Sequence, residues 1–328
     1  IMVDIPLVGI VGTPDPKKIS EDDVIFKFNT SYQLEDALPG MGSGNLYFTF
    51  SEGYRTGGFN GVGACPDPLP PGQNVCALPD ELTFGTDKTN NYEVGLKSDW
   101  LDQRLTANVS LFYIQWNDVQ IDTITVNGAQ PIIGNASDAV SKGLELALKY
   151  QLTDRLSVFG SYSYTNAKLV KDAPGAVGVR GGHNAGNPTV GPAESVDAFD
   201  GDRLPGTPVH QGGVNLNYFW PMSSGLNLEL DYGLTAISNV YTKIGLRGSG
   251  EALGGFTVHK ASASLSKGPW TATLYADNLT NKFARTGVRA DRDYIDTVGV
   301  PNFRLRRYYH NIIRPRTIGL DFRYKFDL

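Results

Sequence analysis

The sequence predicts an all-β protein, an antiparallel up-and-down transmembrane β-barrel with about eleven strands present in the chain. Three observations lead to this prediction. Segments of about ten residues alternate apolar and polar side chains, tight turns alternate with long loops, and aromatic residues cluster near the segment ends. A strand of about 9–11 residues is long enough to cross a bilayer at a tilt.

The clearest alternation occurs in the hairpin Gly143–Tyr164, whose arms flank the short polar turn Thr153–Arg155. Leucines and a tyrosine occupy every second position of its first arm, and Glu145 and Lys149 lie between them. Successive side chains of a strand lie on opposite faces. We therefore expect the leucines to face lipid, and Glu145 and Lys149 to face a lumen.

Composition agrees with this fold class and excludes others. The 328 residues include 38 glycines and 11% aromatic residues, and mean hydropathy is −0.23. The sequence has no run of about 18 apolar residues, so a helical membrane protein is excluded, and only a closed sheet could satisfy the backbone in lipid. The net charge of −5 does not favour a nucleic-acid partner.

Eleven segments between turn signals show the alternation of a strand. In chain order they are Asp23–Leu34, Asn45–Arg55, Asn90–Trp100, Arg104–Gln120, Asp138–Leu152, Arg155–Leu169, Val209–Trp220, Leu226–Tyr241, Gly255–Lys267, Trp270–Leu279 and Arg316–Phe326. The last segment is among the clearest, because Ile318, Leu320 and Phe322 alternate with charged or small residues. The segment from Gly255 is among the weakest, because Lys260 interrupts its apolar face.

The connections between these segments fall into two length classes. Tight turns occur at Leu101–Gln103, Thr153–Asp154, Pro221–Gly225 and Gly268–Pro269, and long loops at Thr56–Thr89, Lys171–Pro208 and Asn281–Pro315. Loops longer than about 12–15 residues are uncommon in compact domains. On a barrel, the long loops would lie at the outer rim and the tight turns at the inner rim, with Glu35–Gly44 as the longest inner connection.

Aromatic residues mark both predicted rims. Those next to the tight turns or the C-terminus are Trp100, Tyr150, Trp220, Trp270, Tyr324 and Phe326, and those toward the long loops are Tyr54, Tyr162, Tyr164 and Tyr241. Membrane barrels carry aromatic girdles at both interfaces. A soluble sandwich also buries aromatic residues, so a secreted β-sandwich binding module stays an alternative.

Cys65 and Cys76 are the two cysteines of the chain, and both lie in a Gly/Pro-rich stretch. We expect them to form a disulfide in an oxidising compartment. The alternative is a pair of unlinked buried thiols, since a metal site needs more ligands than this stretch supplies. No signal-peptide pattern follows Ile1, and the chain is expected to be a mature piece or a fragment.

Five stretches of strand-and-turn sequence stand out: FTFSEGYRTGGFNG at 48–61, TNNYEVGLKSDWLDQRLTANVSLFYIQWNDVQ at 89–120, NASDAVSKGLELALKYQLTDRLSVFGSYSYTNAKL at 135–169, WTATLYADNLTNKFA at 270–284 and PRTIGLDFRYKF at 315–326. In this order they resemble the C-terminal half of a TonB-dependent outer-membrane receptor. The resemblance implies a Gram-negative outer-membrane barrel of about 22 strands, an N-terminal plug, and uptake driven by an inner-membrane TonB complex. Residues 1–328 would then be the C-terminal portion of the barrel, with the plug and N-terminal strands absent from the chain.

Most of these motifs have a structural interpretation. The paired glycines Gly57 and Gly58 are expected to let the backbone turn at the rim, and Asn278 and Thr280 to bond to nearby backbone. The family usually ends on an aromatic residue that the barrel-assembly machinery recognises. Here Phe326 is followed by two further residues, a departure from that pattern.

For ligand contact, the last long loop is the leading candidate. Its basic and aromatic residues are Arg285, Arg289, Arg292, Tyr294, Arg304, Arg306, Arg307, Tyr308, Tyr309 and His310. Guanidinium groups and aromatic rings suit an anionic, partly aromatic ligand such as a ferric siderophore. The alternative is a solvated loop whose arginines pair with Asp291, Asp293 and Asp296 or with lipopolysaccharide. Arg180 and His183 are weaker candidates in another loop.

The function predicted from these features is active import of a scarce nutrient, with a ferric siderophore as the expected ligand. Cobalamin or an oligosaccharide is an alternative ligand, and an unplugged outer-membrane porin is an alternative class. The four histidines are scattered without ligand spacing, and no catalytic motif occurs, so we expect neither an enzyme nor a bound cofactor or metal. The expected partners are the TonB complex, outer-membrane lipid, lipopolysaccharide and the barrel-assembly machinery.

Overall fold

The computed structural model describes residues 23–67, 76–125, 130–178, 195–248, 250–296 and 304–326. Within these ranges, eleven strands form one antiparallel sheet in which each strand pairs with the next along the chain. These wall strands are Lys27–Glu35, Met41–Arg55, Asp87–Trp100, Leu105–Asn117, Ala139–Gln151, Leu156–Leu169, His210–Pro221, Asn227–Ile237, Phe256–Lys267, Trp270–Asp277 and Thr317–Tyr324. All eleven overlap predicted segments, which confirms the all-β, up-and-down class. The two edge strands do not pair with each other among these residues, so the sheet is an open section of barrel wall.

Two wall strands, the fourth and the eighth, end three and four residues earlier than the sequence suggested, and three others end one or two residues earlier. The fourth ends at Asn117 and not at Gln120, because Asp118 adopts a left-handed backbone conformation with a φ of 53°. The eighth ends at Ile237 and not at Tyr241, because Tyr241 pairs in a separate short hairpin. The alternation of apolar and polar residues continues past both strand ends, so the sequence pattern could not locate these ends.

The connections at one rim, the inner rim, are short turns. The predicted inner connection Glu35–Gly44 is shorter than expected, because Ser43 and Gly44 already pair with the first wall strand. The turn Leu101–Gln103 is made by three consecutive residues with φ values of 54°, 54° and 66°. A 3-10 turn, Ser223–Gly225, joins the seventh and eighth wall strands.

The connections at the opposite, outer rim are long, and each of the five contains a two-stranded hairpin. We name them outer loops 1 to 5, for residues 56–86, 118–138, 170–209, 238–255 and 278–316. Their hairpins pair Gly58–Phe59 with Thr83–Phe84, Gln120–Ile124 with Pro131–Asn135, Ala173–Gly178 with Ser195–Ala198, Val240–Tyr241 with Ala252–Leu253, and Arg285–Asp296 with Arg304–Ile312. The 3-10 turns Pro79–Glu81 and Ile244–Leu246 lie in loops 1 and 4. No helix in the described ranges is both long enough and apolar enough to cross a bilayer.

The sheet has an apolar face. Val94, Leu111 and Leu144 are opposite one another in successive strands of this face. Its side chains are open to the surroundings, and Leu320 in the last strand is 75% exposed. A contiguous exposed apolar surface of this extent marks an interaction surface, and on a barrel wall it is the surface that contacts lipid.

The other face of the sheet is polar. Glu145 lies opposite Ser110 and Ser163, which confirms the predicted orientation of the hairpin Gly143–Tyr164. Lys260 also lies on this face, opposite Gly233. The expectation that Lys260 interrupts the apolar face was therefore wrong, because the apolar positions of the ninth strand are the odd-numbered ones.

Aromatic residues lie near both rims of the apolar face. At the inner rim, the ring of Trp270 is 4.3 Å from that of Tyr324 between centroids. Toward the outer rim, the rings of Tyr92 and Tyr113 are 6.4 Å apart. The predicted girdles are thus present, although Tyr241 belongs to outer loop 4 and not to the wall.

The buried apolar side chains are concentrated at the outer rim. One cluster joins Val119 of loop 2, Leu169 at the end of the sixth strand, Val177 and Leu204 of loop 3, and Ile244 of loop 4. Leu169 is only 1% exposed. Because three loops share this small core, they form a packed layer on top of the wall.

Candidate functional site at the outer rim

Outer loops 1 and 2 are joined through the buried carboxylate of Asp87, which is 2% exposed. It accepts hydrogen bonds from Arg55, from Trp116 Nε1 at 2.8 Å and from the backbone N–H of Gln120 at 3.1 Å. The Arg55 guanidinium also lies 5.2 Å from the centre of the Trp116 ring. One carboxylate therefore fixes the outer ends of the second, third and fourth wall strands and the start of loop 2.

Outer loop 1 contains the disulfide Cys65–Cys76, whose Cα atoms are 4.8 Å apart. This confirms the predicted bond and rules out the alternative of unlinked thiols. Asn60 of the same loop binds loop 2, because its side chain donates to the Ile133 carbonyl and accepts from the Ile133 N–H, both at 2.8 Å. Gly58 adopts no left-handed conformation, and a Cβ there would lie 2.7 Å from the Phe84 ring, so a larger residue would displace that ring.

Outer loops 2 and 3 meet at an ion pair. Lys171 Nζ lies 2.5 Å from Asp138 Oδ2, and the Val170 N–H donates to the Asp138 carbonyl at 2.9 Å. The lysine holds the pKa of the Asp138 carboxyl below its ordinary value, because its hydrogen bond favours the charged form. The ion pair lies beside the loop core and continues the connection along the rim.

Outer loops 3 and 4 are joined by two arginines. Arg247 donates to both carboxylate oxygens of Asp202, at 2.5 and 3.1 Å, and its guanidinium lies 4.3 Å from the Phe199 ring centre. Arg203 donates to the Asn239 carbonyl at 2.7 Å and lies 4.5 Å from the Tyr241 ring centre. Guanidinium groups thus bridge the two loops through both hydrogen bonds and ring contacts.

The Asp202 contact should depend on pH. The hydrogen bond from Arg247 holds the pKa of the Asp202 carboxyl below its ordinary value; burial opposes this shift and the Phe199 N–H supports it. Such a carboxyl contributes stability above its unfolded pKa of about 3.9, and this is lost as pH falls through the folded pKa. We expect the contact to be intact from about pH 5 to 8 and to open below about pH 4. Hydrogen exchange of the Gly206 and Gly245 amides, which bond across the two loops, measures the opening.

The variant Asp202→Asn provides the control for this prediction. It should exchange these two amides several-fold faster than the parent already at pH 7, and its exchange, corrected for intrinsic rates, should show no further increase as pH falls below about 4. Full protection of both amides in this variant at pH 7 would show that the ion pair does not hold the loops together.

Outer loops 4 and 5 are joined by Glu251. Its carboxylate accepts from His310 Nε2 at 2.9 Å, and Arg285 Nη1 lies 3.7 Å away. Arg285 and His310 are candidates from the sequence, and they lie 3.5 Å apart between Nη1 and Nε2. Glu251 was not among the predicted residues, since it is 59 positions from His310 and belongs to another loop.

The remaining candidates lie on the hairpin of loop 5. The structure describes the backbone of Arg289, Arg292, Tyr294, Arg304, Arg306, Arg307 and Tyr308, and it also describes the side chain of Tyr309, which is 45% exposed. Cα pairing sets Arg289 opposite Tyr309 and Tyr294 opposite Arg306. Arg180 and His183 fall outside the described residues. The hairpin therefore brings together basic and aromatic positions from both of its strands.

The polar face of the wall lies below these loops. Tyr47 donates to Glu93 at 2.5 Å, and Lys97 Nζ lies 5.4 Å from the Tyr47 ring centre. Further along, Asn217 donates to Glu229 and Asp231 at 2.7 and 2.8 Å. Within the described part of the chain, no group of three or more His, Cys, Asp or Glu residues could hold a metal ion. This face is a polar, hydrogen-bonding surface.

Residues 8–279 match a protein-family profile described as TonB dependent receptor-like, beta-barrel. A stretch of 97 residues is 33% identical to the metal-pseudopaline receptor CntO of Pseudomonas aeruginosa, and it covers 30% of this chain and 13% of that receptor.

Two solved structures share the fold. The ferric yersiniabactin uptake receptor FyuA of Yersinia pestis matches with a TM-score of 0.61 at 18% identity, covering 92% of this chain and 37% of FyuA. The siderophore receptor PiuA of Acinetobacter baumannii matches with a TM-score of 0.58 at 15% identity, covering 92% of this chain and 36% of PiuA. The chain thus spans little more than a third of these receptors.

Proposed function

The chain belongs to the TonB-dependent receptor β-barrel family, and from this membership we propose that it is the C-terminal part of the barrel of a receptor that imports a ferric siderophore. Barrels of this family lie in the outer membrane of Gram-negative bacteria, and the relatives are transport receptors. The eleven wall strands would supply about half of a barrel of about 22 strands. The plug and the other strands would belong to the same protein.

The proposal of an anionic ligand rests mainly on the residues of outer loop 5. Its hairpin places six arginines among tyrosines at the outer rim, above the polar face of the wall. Guanidinium groups bind anionic oxygens through paired hydrogen bonds and stack on aromatic rings. The names of two relatives specify a metal–pseudopaline complex and ferric yersiniabactin. Together these features favour an anionic metal chelate over cobalamin or an oligosaccharide.

We propose that the ligand contacts Arg285, Arg289, Arg292, Tyr294, Arg304, Arg306, Arg307, Tyr308, Tyr309 and His310. Arg285 and His310 are already close to Glu251, whose carboxylate is anionic like the expected ligand. A chelate that binds these two side chains would therefore replace Glu251. In this proposal, ligand binding loosens loop 5 from loop 4.

The proposed partners follow from the family. A TonB complex would drive uptake by pulling on the plug, and the polar face would be the surface that surrounds the plug. The barrel-assembly machinery would insert the protein, with the strand ending near Phe326 as its recognition element. Lipid and lipopolysaccharide would contact the apolar face.

The full-length receptor tests this function. We expect a deletion strain to grow more slowly only under iron limitation, and the purified receptor to bind a ferric siderophore. The double variant Arg289→Ala with Arg306→Ala should bind at least about tenfold more weakly, because two charge-assisted contacts are lost. Fluorescence titration with the ferric complex measures the affinity.

Arg323→Ala is the matched control, since Arg323 is 79% exposed and lies in the last wall strand, far from loop 5. It should bind the ferric complex like the parent. Normal growth of the deletion strain under iron limitation, combined with a growth defect on cobalamin or an oligosaccharide, would contradict the proposed ligand. Unsaturable uptake that needs no energy source would instead identify an unplugged porin.

A further inference from the structure

A concave surface of about 680 Å³ lies on the apolar face at its outer edge. It extends from the sixth to the ninth wall strand and to the start of outer loop 5. Gly212 and Ala236 are directly opposite each other within it, and the space stays open because glycine has no side chain and alanine has only a methyl group. Its position on the outside of the wall separates it from the proposed ligand path.

Two histidines line this surface, and each forms a hydrogen bond with a tyrosine. Tyr162 Oη lies 2.8 Å from His210 Nδ1, and Tyr232 Oη lies 2.6 Å from His259 Nδ1. His210 is opposite Tyr164, and His259 is opposite Leu234, so both histidines lie on the apolar face. Polar groups on a lipid-facing surface are costly unless they lie at the interface with water.

The tyrosines determine what the histidines offer. We assign each phenol as the hydrogen-bond donor, because an imidazole nitrogen accepts better than a phenol oxygen. A neutral ring that accepts at Nδ1 carries its proton on Nε2. His210 and His259 therefore each present an N–H donor on the side of the ring away from the tyrosine.

Other groups on this surface can also donate hydrogen bonds. Lys282 supplies an ammonium group at its edge, and Thr257 and Thr280 supply hydroxyl groups. None of the described residues that line it is acidic. Toward the inner rim, the surface continues into apolar side chains such as Leu234 and Leu216. Donors and a cation beside an apolar wall fit a ligand with an anionic head and hydrocarbon chains.

We propose that this surface binds the phosphorylated head group of an outer-leaflet lipid, the lipid A part of lipopolysaccharide. His210 and His259 donate from Nε2 to phosphate oxygens, Lys282 pairs with the phosphate charge, and the acyl chains lie along the leucines below. The inference rests on the place of the barrel in the outer membrane and not on the identity of the transported ligand.

Native mass spectrometry of the detergent-purified full-length receptor tests this proposal. The parent should bind bisphosphorylated lipid A at least about tenfold more tightly than dephosphorylated lipid A. The triple variant His210→Ala, His259→Ala, Lys282→Ala should lose this preference and keep its affinity for the dephosphorylated lipid. Lys282→Ala alone, which leaves the wall intact, should reduce the preference several-fold.

Lys260→Ala is the matched control, because Lys260 is adjacent to His259 but lies on the polar face. It should keep the full preference for the phosphorylated lipid. An equal affinity of the parent for both lipids, or an unchanged preference in the triple and single variants, would overturn the proposal. So would complete displacement of the lipid by millimolar inorganic phosphate, since the ligand would then be a free anion.

Discussion

Replacing Gly143 with valine should prevent assembly of the wall, and folded full-length receptor in the outer membrane should fall at least about tenfold. A Cβ at this position would stand 1.9 Å from the Tyr164 carbonyl oxygen and 2.7 Å from the Phe112 ring. The carbonyl belongs to the neighbouring strand, and moving it breaks backbone hydrogen bonds worth about 0.5–1.5 kcal/mol each. The shift in gel mobility of the barrel on heating measures the folded fraction.

Gly160→Val is the control for this prediction. Gly160 lies in the adjacent strand on the apolar face, and a Cβ there would meet no atom within 4 Å. This variant should assemble normally. Adding Phe112→Ala to the Gly143→Val variant should not restore folding, because the clash with the Tyr164 carbonyl persists. Normal assembly of the Gly143→Val variant would show that the two strands tolerate a different register.

The sequence could predict the wall because its face pattern is local. Each wall strand contacts lipid on one side and water on the other, so alternation within about ten residues carries the information. Strand ends are different, because Asp118 leaves the extended conformation while the apolar and polar alternation continues. The same pattern assigned Lys260 to the wrong face, because the alanines and serines around it do not distinguish an apolar face from a polar one.

The rim was predictable only where its contacts are local. Cys65 and Cys76 are 11 positions apart in a cysteine-poor chain, and their disulfide was predicted. The partners of Asp87 lie 29 to 33 positions away in three other strands, and Glu251 lies 59 positions from His310. No pattern within one segment shows such pairs, because the antiparallel order of the wall brings them together.

These contacts give the rim a continuous organisation. Each outer loop is bonded to the next one along the wall, through Asp87, Lys171, Arg247 and Glu251 in turn. The first three contacts involve none of the residues proposed to bind the ligand. The fourth involves Arg285 and His310, so in the proposed function the ligand competes for the last joint of a layer that is otherwise held together.

Replacing Asp87 with alanine should separate outer loops 1 and 2. The change leaves Trp116 Nε1 and the Gln120 N–H without their acceptor and removes the partner of Arg55. Breaking a buried pair costs about 3–5 kcal/mol, and Arg55 is 52% exposed and can be rehydrated, so we expect about 2–3 kcal/mol. Hydrogen exchange in the hairpins of both loops should accelerate about 30- to 150-fold, which is this energy converted to a rate ratio.

Asp99→Ala provides the comparison, because Asp99 lies at the inner end of the same strand and accepts from Thr106 and Ser43. It should leave exchange in both outer loops unchanged. Asp87→Asn should give an intermediate acceleration, since the amide oxygen can still accept from Trp116 or Gln120 but no longer carries a charge for Arg55. Equal exchange in the Asp87→Ala variant and the parent would mean that contacts such as those of Asn60 with Ile133 hold the two loops together without Asp87. If the exchange rate instead rises from the parent to Asp87→Asn and again to Asp87→Ala, this single carboxylate is the contact that orders the first two outer loops.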